Sequence, residues 1–108
     1  MFKAHFIGIC GAGMSATAQL LKDKGWQISG SDDGFYPPIS DYLKKYNLPC
    51  STPYRPENIP SDADLIIIGK HAKLTPEENE EVAAAFASGL PVKSFPEVLS
   101  DLTAKTNN

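Results

Sequence analysis

The chain predicts an α/β fold: a Rossmann-like, doubly wound, mostly parallel five-stranded sheet with helices on both faces. Three observations predict it. Short apolar runs alternate with helix-periodic segments along the sequence. A glycine-rich turn, Gly11-Ala12-Gly13, joins the first apolar run to the first helical segment. The run Asp64-Leu65-Ile66-Ile67-Ile68-Gly69 is continuous in Ile and Leu, as a strand buried on both faces requires. Strand–helix alternation of this kind places parallel strands in one sheet with helices on each side.

Each element follows from its own residues. Residues 3–9 read as a strand that ends at glycines. Residues 12–24 read as a helix, because Met14, Ala18 and Leu21 recur at helical spacing, with Leu20 beside them and Gly25 as the stop. Residues 26–31, Trp-Gln-Ile-Ser-Gly-Ser, form a second strand, and residues 32–37 a loop. Pro38 suits the first turn of a short helix to Tyr46, on which Ile39, Tyr42, Leu43 and Tyr46 share a face. Residues 49–52 read as a short strand, and residues 53–63, with three prolines, as a loop. After the strand at 64–69, Thr75-Pro76-Glu77-Glu78 has the form of a capping box with proline at the first helical position. Its helix is expected to run to Ser88 and stop at Gly89. Residues 90–93 are a further strand, and Ser94-Phe95-Pro96-Glu97 caps a last helix through Leu102. Residues 1–102 then make one domain, and 103–108 a polar tail with no reason to be ordered.

Composition narrows the function classes. The 108 residues are 42% hydrophobic and 21% charged, which suits a globular domain and neither a disordered chain nor a fibre. Thirteen acidic and ten basic residues give a formal charge of −3 without a basic run, which argues against nucleic acid as the main partner. Cys10 and Cys50 lack metal-ligand spacing, so a reduced, cytoplasmic protein without a metal site is expected. No apolar run approaches the roughly 20 residues that span a bilayer, and Lys3 and His5 interrupt what would be a signal peptide's apolar core.

The candidate site begins at the glycine turn. Gly11-Ala12-Gly13-Met14-Ser15-Ala16 fits Gly-x-Gly-x-x-Ala between a strand and a helix, and an acidic pair, Asp32-Asp33, follows about 20 residues later. A helix start offers unpaired backbone N–H groups, and glycines let a phosphate approach the backbone. The pattern therefore points to a nucleotide-linked diphosphate; the bland alternative is a tight structural turn. Ser15 either adds a hydroxyl bond to the phosphate or packs in the first helical turn. Asp32, at a strand end, either accepts from ribose hydroxyls or a base N–H, or starts the loop as a turn residue. His71, with Lys70 and Lys73, follows the strongest strand and belongs either to the rim of the same cleft or to a solvated loop. His5, inside a strand, reads as structural. Cys10 has no activating neighbour, and its small size accounts for it. The run Glu77-Glu78-Asn79-Glu80-Glu81 reads as a solvated face. The glycine turn, Asp32 and Lys70-His71 all follow strands, so the topology gathers them at one sheet edge.

These residues carry a resemblance. Phe6-Ile7-Gly8-Ile9-Cys10-Gly11-Ala12-Gly13-Met14-Ser15 resembles the amino-terminal signature of the Mur ligases that act on UDP-N-acetylmuramic acid. Ser29-Gly30-Ser31-Asp32 is similar to their Ser-Gly-Ser-Asp, and Pro96-Glu97-Val98-Leu99 to their Pro-Glu-x-Leu. Tyr36-Pro37-Pro38-Ile39-Ser40 is closer to the murein peptide ligase branch than to the L-alanine ligase branch. Gly69-Lys70-His71-Ala72 departs from the Ser-Ser-Ala-Ile type of the latter. The resemblance spans roughly residues 3 to 102.

The resemblance implies a domain that binds UDP-N-acetylmuramate or a UDP-muramyl peptide. Its implied parent uses ATP and Mg to convert the muramyl carboxylate to an acyl phosphate, which the amine of L-alanine or a peptide attacks. Carried over by position, Gly8, Cys10, Gly11, Ala12, Gly13, Met14 and Ser15 would contact the diphosphate. Asp32 would lie near the uridine and His71 toward the muramyl sugar. No Gly-x-x-Gly-Lys-Thr/Ser loop is present, so the 108 residues alone are expected to be inactive, with no cofactor of their own. The implied partners are the central ATPase and carboxyl-terminal domains of the parent, not nucleic acid or membrane. Two alternatives stand beside this: an NAD(P)-binding Rossmann domain of a dehydrogenase or regulatory module, and a structural module with a vacant site.

Overall fold

A computed structural model describes residues 2–11, 13–70 and 73–106. β1 (Lys3–Ile7) lies at the centre of the sheet, between β2 (Gln27–Ser31) and β4 (Leu65–Ile68). β3 (Cys50–Ser51) extends the sheet beyond β2, and β5 (Val92–Ser94) beyond β4. Every pairing is parallel, in the order β3-β2-β1-β4-β5. The chain winds outward from β1 to β3, then crosses back to β4 and winds outward on the other side. The direction therefore reverses between β1 and β4, and ligands of such sheets bind outside the carboxyl ends of the strands at that point.

Strand parity decides which face each side chain enters. Ala4, Phe6, Ile28 and Ile67 pack on one face with Met14, Ala18 and Leu21 of α1 (Met14–Asp23), Leu43 of α2 (Ile39–Lys45) and Val98 of α4 (Phe95–Thr106). Ile7, Ile66 and Ile68 pack on the other face with Val82 and Ala85 of α3 (Glu80–Ala87). Phe6, Ile7, Ile66 and Ile67 are fully buried, each side chain contributing roughly 1.5–3 kcal/mol. The doubly wound, five-stranded parallel sheet is as the sequence predicts.

Several boundaries differ from expectation, for identifiable reasons. β1 ends at Ile7, because the Gly8 and Ile9 amides both turn to the Ser31 carbonyl, at 2.9 and 3.1 Å. The helix expected from Thr75 starts at Glu80. The Thr75 carbonyl accepts from the Glu78 and Asn79 amides and closes a separate turn. Asn79 is then extended (φ −140°, ψ 115°), and its side chain caps the Glu81 and Val82 amides. The last strand runs Val92–Ser94, later than the expected 90–93. The last helix keeps the Ser94–Glu97 capping box and continues through Thr106, past the expected end at Leu102 and into the stretch expected to be a polar tail. The proline-rich loop holds a short 3-10 turn, Pro56–Asn58. The expected solvated face on residues 77–81 is corrected at Asn79, buried as the cap of α3, and at Glu81, which is fully buried.

Candidate functional site

The glycine turn is built on two positive-φ residues. Gly8 has φ +88°, and a Cβ there would sit 2.8 Å from Leu74 Cδ1. Gly13, the N-cap of α1, has φ +83°, and a Cβ there would sit 2.7 Å from Phe95 Cζ. Both positions need glycine for conformation and for room. The Gly11 amide donates to the Gly8 carbonyl and the Met14 amide to the Gly11 carbonyl, each at 3.0 Å. No side-chain hydrogen bond caps the start of α1. This is the end at which a helix presents N–H groups and positive dipole to an anion.

Asp32 secures the turn from below. Its Oδ2 accepts from the Cys10 amide and its Oδ1 from the Asp33 amide, both at 2.8 Å. The Asp32 amide donates to the Ser51 carbonyl. Tyr54 adjoins the Asp32 carboxylate; burial, then the Asp32 charge, pushes its phenol up, so it stays protonated. Burial, then Asp32, also pushes the Cys10 thiol up to about 12, and burial first pushes Cys50 up to about 11. Neither thiol is a nucleophile at neutral pH.

These groups line a cleft of about 850 Å³ at the switch point. Gly8, Cys10, Gly11 and Met14 line it together with Asp32, Asp33 and Tyr54. Gly69, Lys70, Lys73 and Leu74 follow β4, and Phe95, Pro96 and Leu99 close the side toward α4. The arrangement offers main-chain amides and lysines to an anion, carboxylates to hydroxyl or N–H donors, and apolar surface to a ring. Among the described residues no group of three His, Cys, Asp or Glu could hold a metal ion. Among the described residues no helix is long and apolar enough to cross a membrane.

The structure thus brings Gly8, Cys10, Gly11, Met14 and Asp32 together on one cleft. Gly13 is exposed beside it, against Phe95. Ser15 is buried in the first turn of α1 and is not among the residues lining the cleft. Ala12 and His71 lie outside the described residues. Sequence reasoning missed Tyr54, which comes from a loop with no periodicity, and Phe95, which was read only as part of a cap. It also missed the partner of His5. His5 is buried between Ser29 Oγ and Glu81 Oε2, 2.7 Å from each, which bears out its structural reading. The stripe Glu81, Val82, Ala85 was the available signal, since it places Glu81 on the inward face of α3.

Comparison with known proteins agrees with this architecture. The family profile described as "Mur ligase family, catalytic domain" matches residues 3–106. A UDP-N-acetylmuramate–L-alanine ligase of Treponema pallidum (strain Nichols) is 41% identical over 103 residues, covering 94% of this chain and 21% of that protein. A murein peptide ligase from Psychrobacter arcticus superposes with a TM-score of 0.82 at 27% identity, over 94% of this chain and 20% of the other. A UDP-N-acetylmuramate–alanine ligase from Thermotoga maritima gives 0.84 at 28% identity, over 97% and 23%. The chain spans about a fifth of the length of the curated relatives it matches. None of these relatives is a dehydrogenase, so the nicotinamide-dinucleotide alternative has no support. A profile match over nearly the whole chain, on a sheet that superposes on solved ligases, establishes that the chain belongs to the Mur ligase family.

Proposed function

We propose that this chain is the amino-terminal UDP-muramyl-binding domain of an ATP-dependent amide-bond ligase of peptidoglycan synthesis or recycling. The observation that carries the reading is the cleft, where the uncapped start of α1, Asp32 and the lysines after β4 converge. A diphosphate lies against the amides of the glycine turn, where backbone donors and helix dipole favour negative charge. Gly8, Cys10, Gly11, Ala12, Gly13, Met14 and Ser15 make up that turn. Asp32 faces the uridine while it holds the turn from below. We assign His71, next in sequence to the cleft residue Lys70, to the muramyl sugar. ATP and Mg belong to a central domain of the full-length parent. L-Alanine or a peptide is the incoming group, as in the names of the Treponema L-alanine ligase and the Psychrobacter murein peptide ligase. The reaction is cytoplasmic, where nucleotide-linked precursors and ATP meet.

Titration calorimetry of the chain tests the reading. UDP-N-acetylmuramate and UDP are expected to bind without turnover, and NAD(H) to give no heat. Binding of NAD(H) with the UDP compounds silent would reject it.

A further inference from the structure

We propose that Glu81 is a positioning residue for the diphosphate turn: its buried carboxylate, on the face of the sheet away from α1, ties that turn to the segment that carries the cleft residue Tyr54. The inference rests on the functional reading above. Its evidence is the way four donors divide between two oxygens. Oε2 accepts from Ser31 Oγ at 2.6 Å and from His5 Nε2 at 2.7 Å. Oε1 accepts from the Arg55 amide at 3.0 Å and from Asn58 Nδ2 at 2.7 Å.

Each oxygen leads to a different side of the cleft. Ser31, held through its hydroxyl, presents its carbonyl to the Gly8 and Ile9 amides, the first two of the turn. Arg55 directly follows Tyr54, and Asn58 donates back to the carbonyl of Pro53, the residue before Tyr54. Tyr54 lines the cleft with Asp32, and its hydroxyl lies 3.9 Å from where a Gly8 Cβ would stand. Two routes from one carboxylate therefore reach the start of the turn. An apolar side chain would fill the same volume, and the desolvation cost of a buried charge would be avoided. What an apolar residue lacks is direction. Four fixed bonds hold the start of the turn and the Tyr54 segment in one arrangement, which is the shape that a bound diphosphate nucleotide reads.

The test compares Glu81→Gln with Val82→Ala in the 108-residue chain. Val82 is buried on the same helix but takes no part in these bonds. Two readouts are used: amide hydrogen exchange at Gly8, Ile9 and Cys10, and UDP affinity by calorimetry. Glu81→Gln is expected to speed exchange at the turn about tenfold and to weaken UDP binding by about fivefold or more. Val82→Ala is expected to speed exchange globally, without singling out the turn, and to leave UDP affinity within about twofold. Turn protection in Glu81→Gln equal to that in Val82→Ala would overturn the proposal. Should Glu81→Gln fail to fold, Ser31→Ala removes the Oγ link alone and is read by the same exchange criterion. If the unmodified chain binds no UDP, the functional reading fails, and the exchange comparison still decides whether Glu81 sets the turn.

Discussion

Gly13 shows how little freedom the glycine turn has at the level of one residue. Its φ of +83° and the 2.7 Å approach to Phe95 both exclude a side chain. Gly13→Ala is expected to cost about 1–3 kcal/mol in urea denaturation, from backbone strain and overpacking together. Glu81 makes the complementary case. Burial alone would push its carboxyl up, but the bonds from His5, Ser31, Asn58 and the Arg55 amide outweigh it and hold the group below its ordinary value. The folded state therefore prefers the ionised form more than the unfolded state does. That preference stabilises fully above the ordinary glutamate range, near about 4.3, and is lost as pH falls through the lower folded value. Stability followed against pH should show this acid slope in the parent chain and a shallower one in Glu81→Gln. Glu81→Ala strands four donors and is expected to cost about 3–5 kcal/mol at neutral pH. None of this was legible in the sequence, because a glutamate in an acidic run reads as solvated; only its place beside Val82 and Ala85 betrays it.

The strands were the most legible elements. β4 is an unbroken apolar run, and the parity of residues 4–7 separates the two faces of the sheet. The start of α3 was not legible. Thr75 and Asn79 both have cap chemistry, and the choice depends on whether the Thr75 carbonyl closes its own turn, which it does. Asn79→Ala is accordingly expected to destabilise by about 0.5–2 kcal/mol, and Thr75→Ala by clearly less, in thermal or urea unfolding. Equal effects would return the cap to Thr75. The last helix outran its expected end, because Thr103-Ala104-Lys105-Thr106 contains no Gly or Pro to break it.

At the scale of the molecule, the sheet order β3-β2-β1-β4-β5 does the assembling. Residues more than 60 positions apart, Gly8 and Lys70 among them, reach one cleft because each follows a strand at the same sheet edge. That convergence was legible from the alternation of elements. The contribution of Tyr54 was not, since its loop is placed by the bonds of Glu81 to Arg55 and Asn58. The proposed function requires backbone amides at the β1–α1 junction to hold the diphosphate of a UDP-sugar. The most direct measurement is amide chemical-shift mapping of the chain on addition of UDP. The largest shifts are expected at Gly11, Gly13 and Ser15, with smaller ones at Asp32 and Lys70. Shifts confined to residues away from that cleft, or none at millimolar UDP, would contradict it.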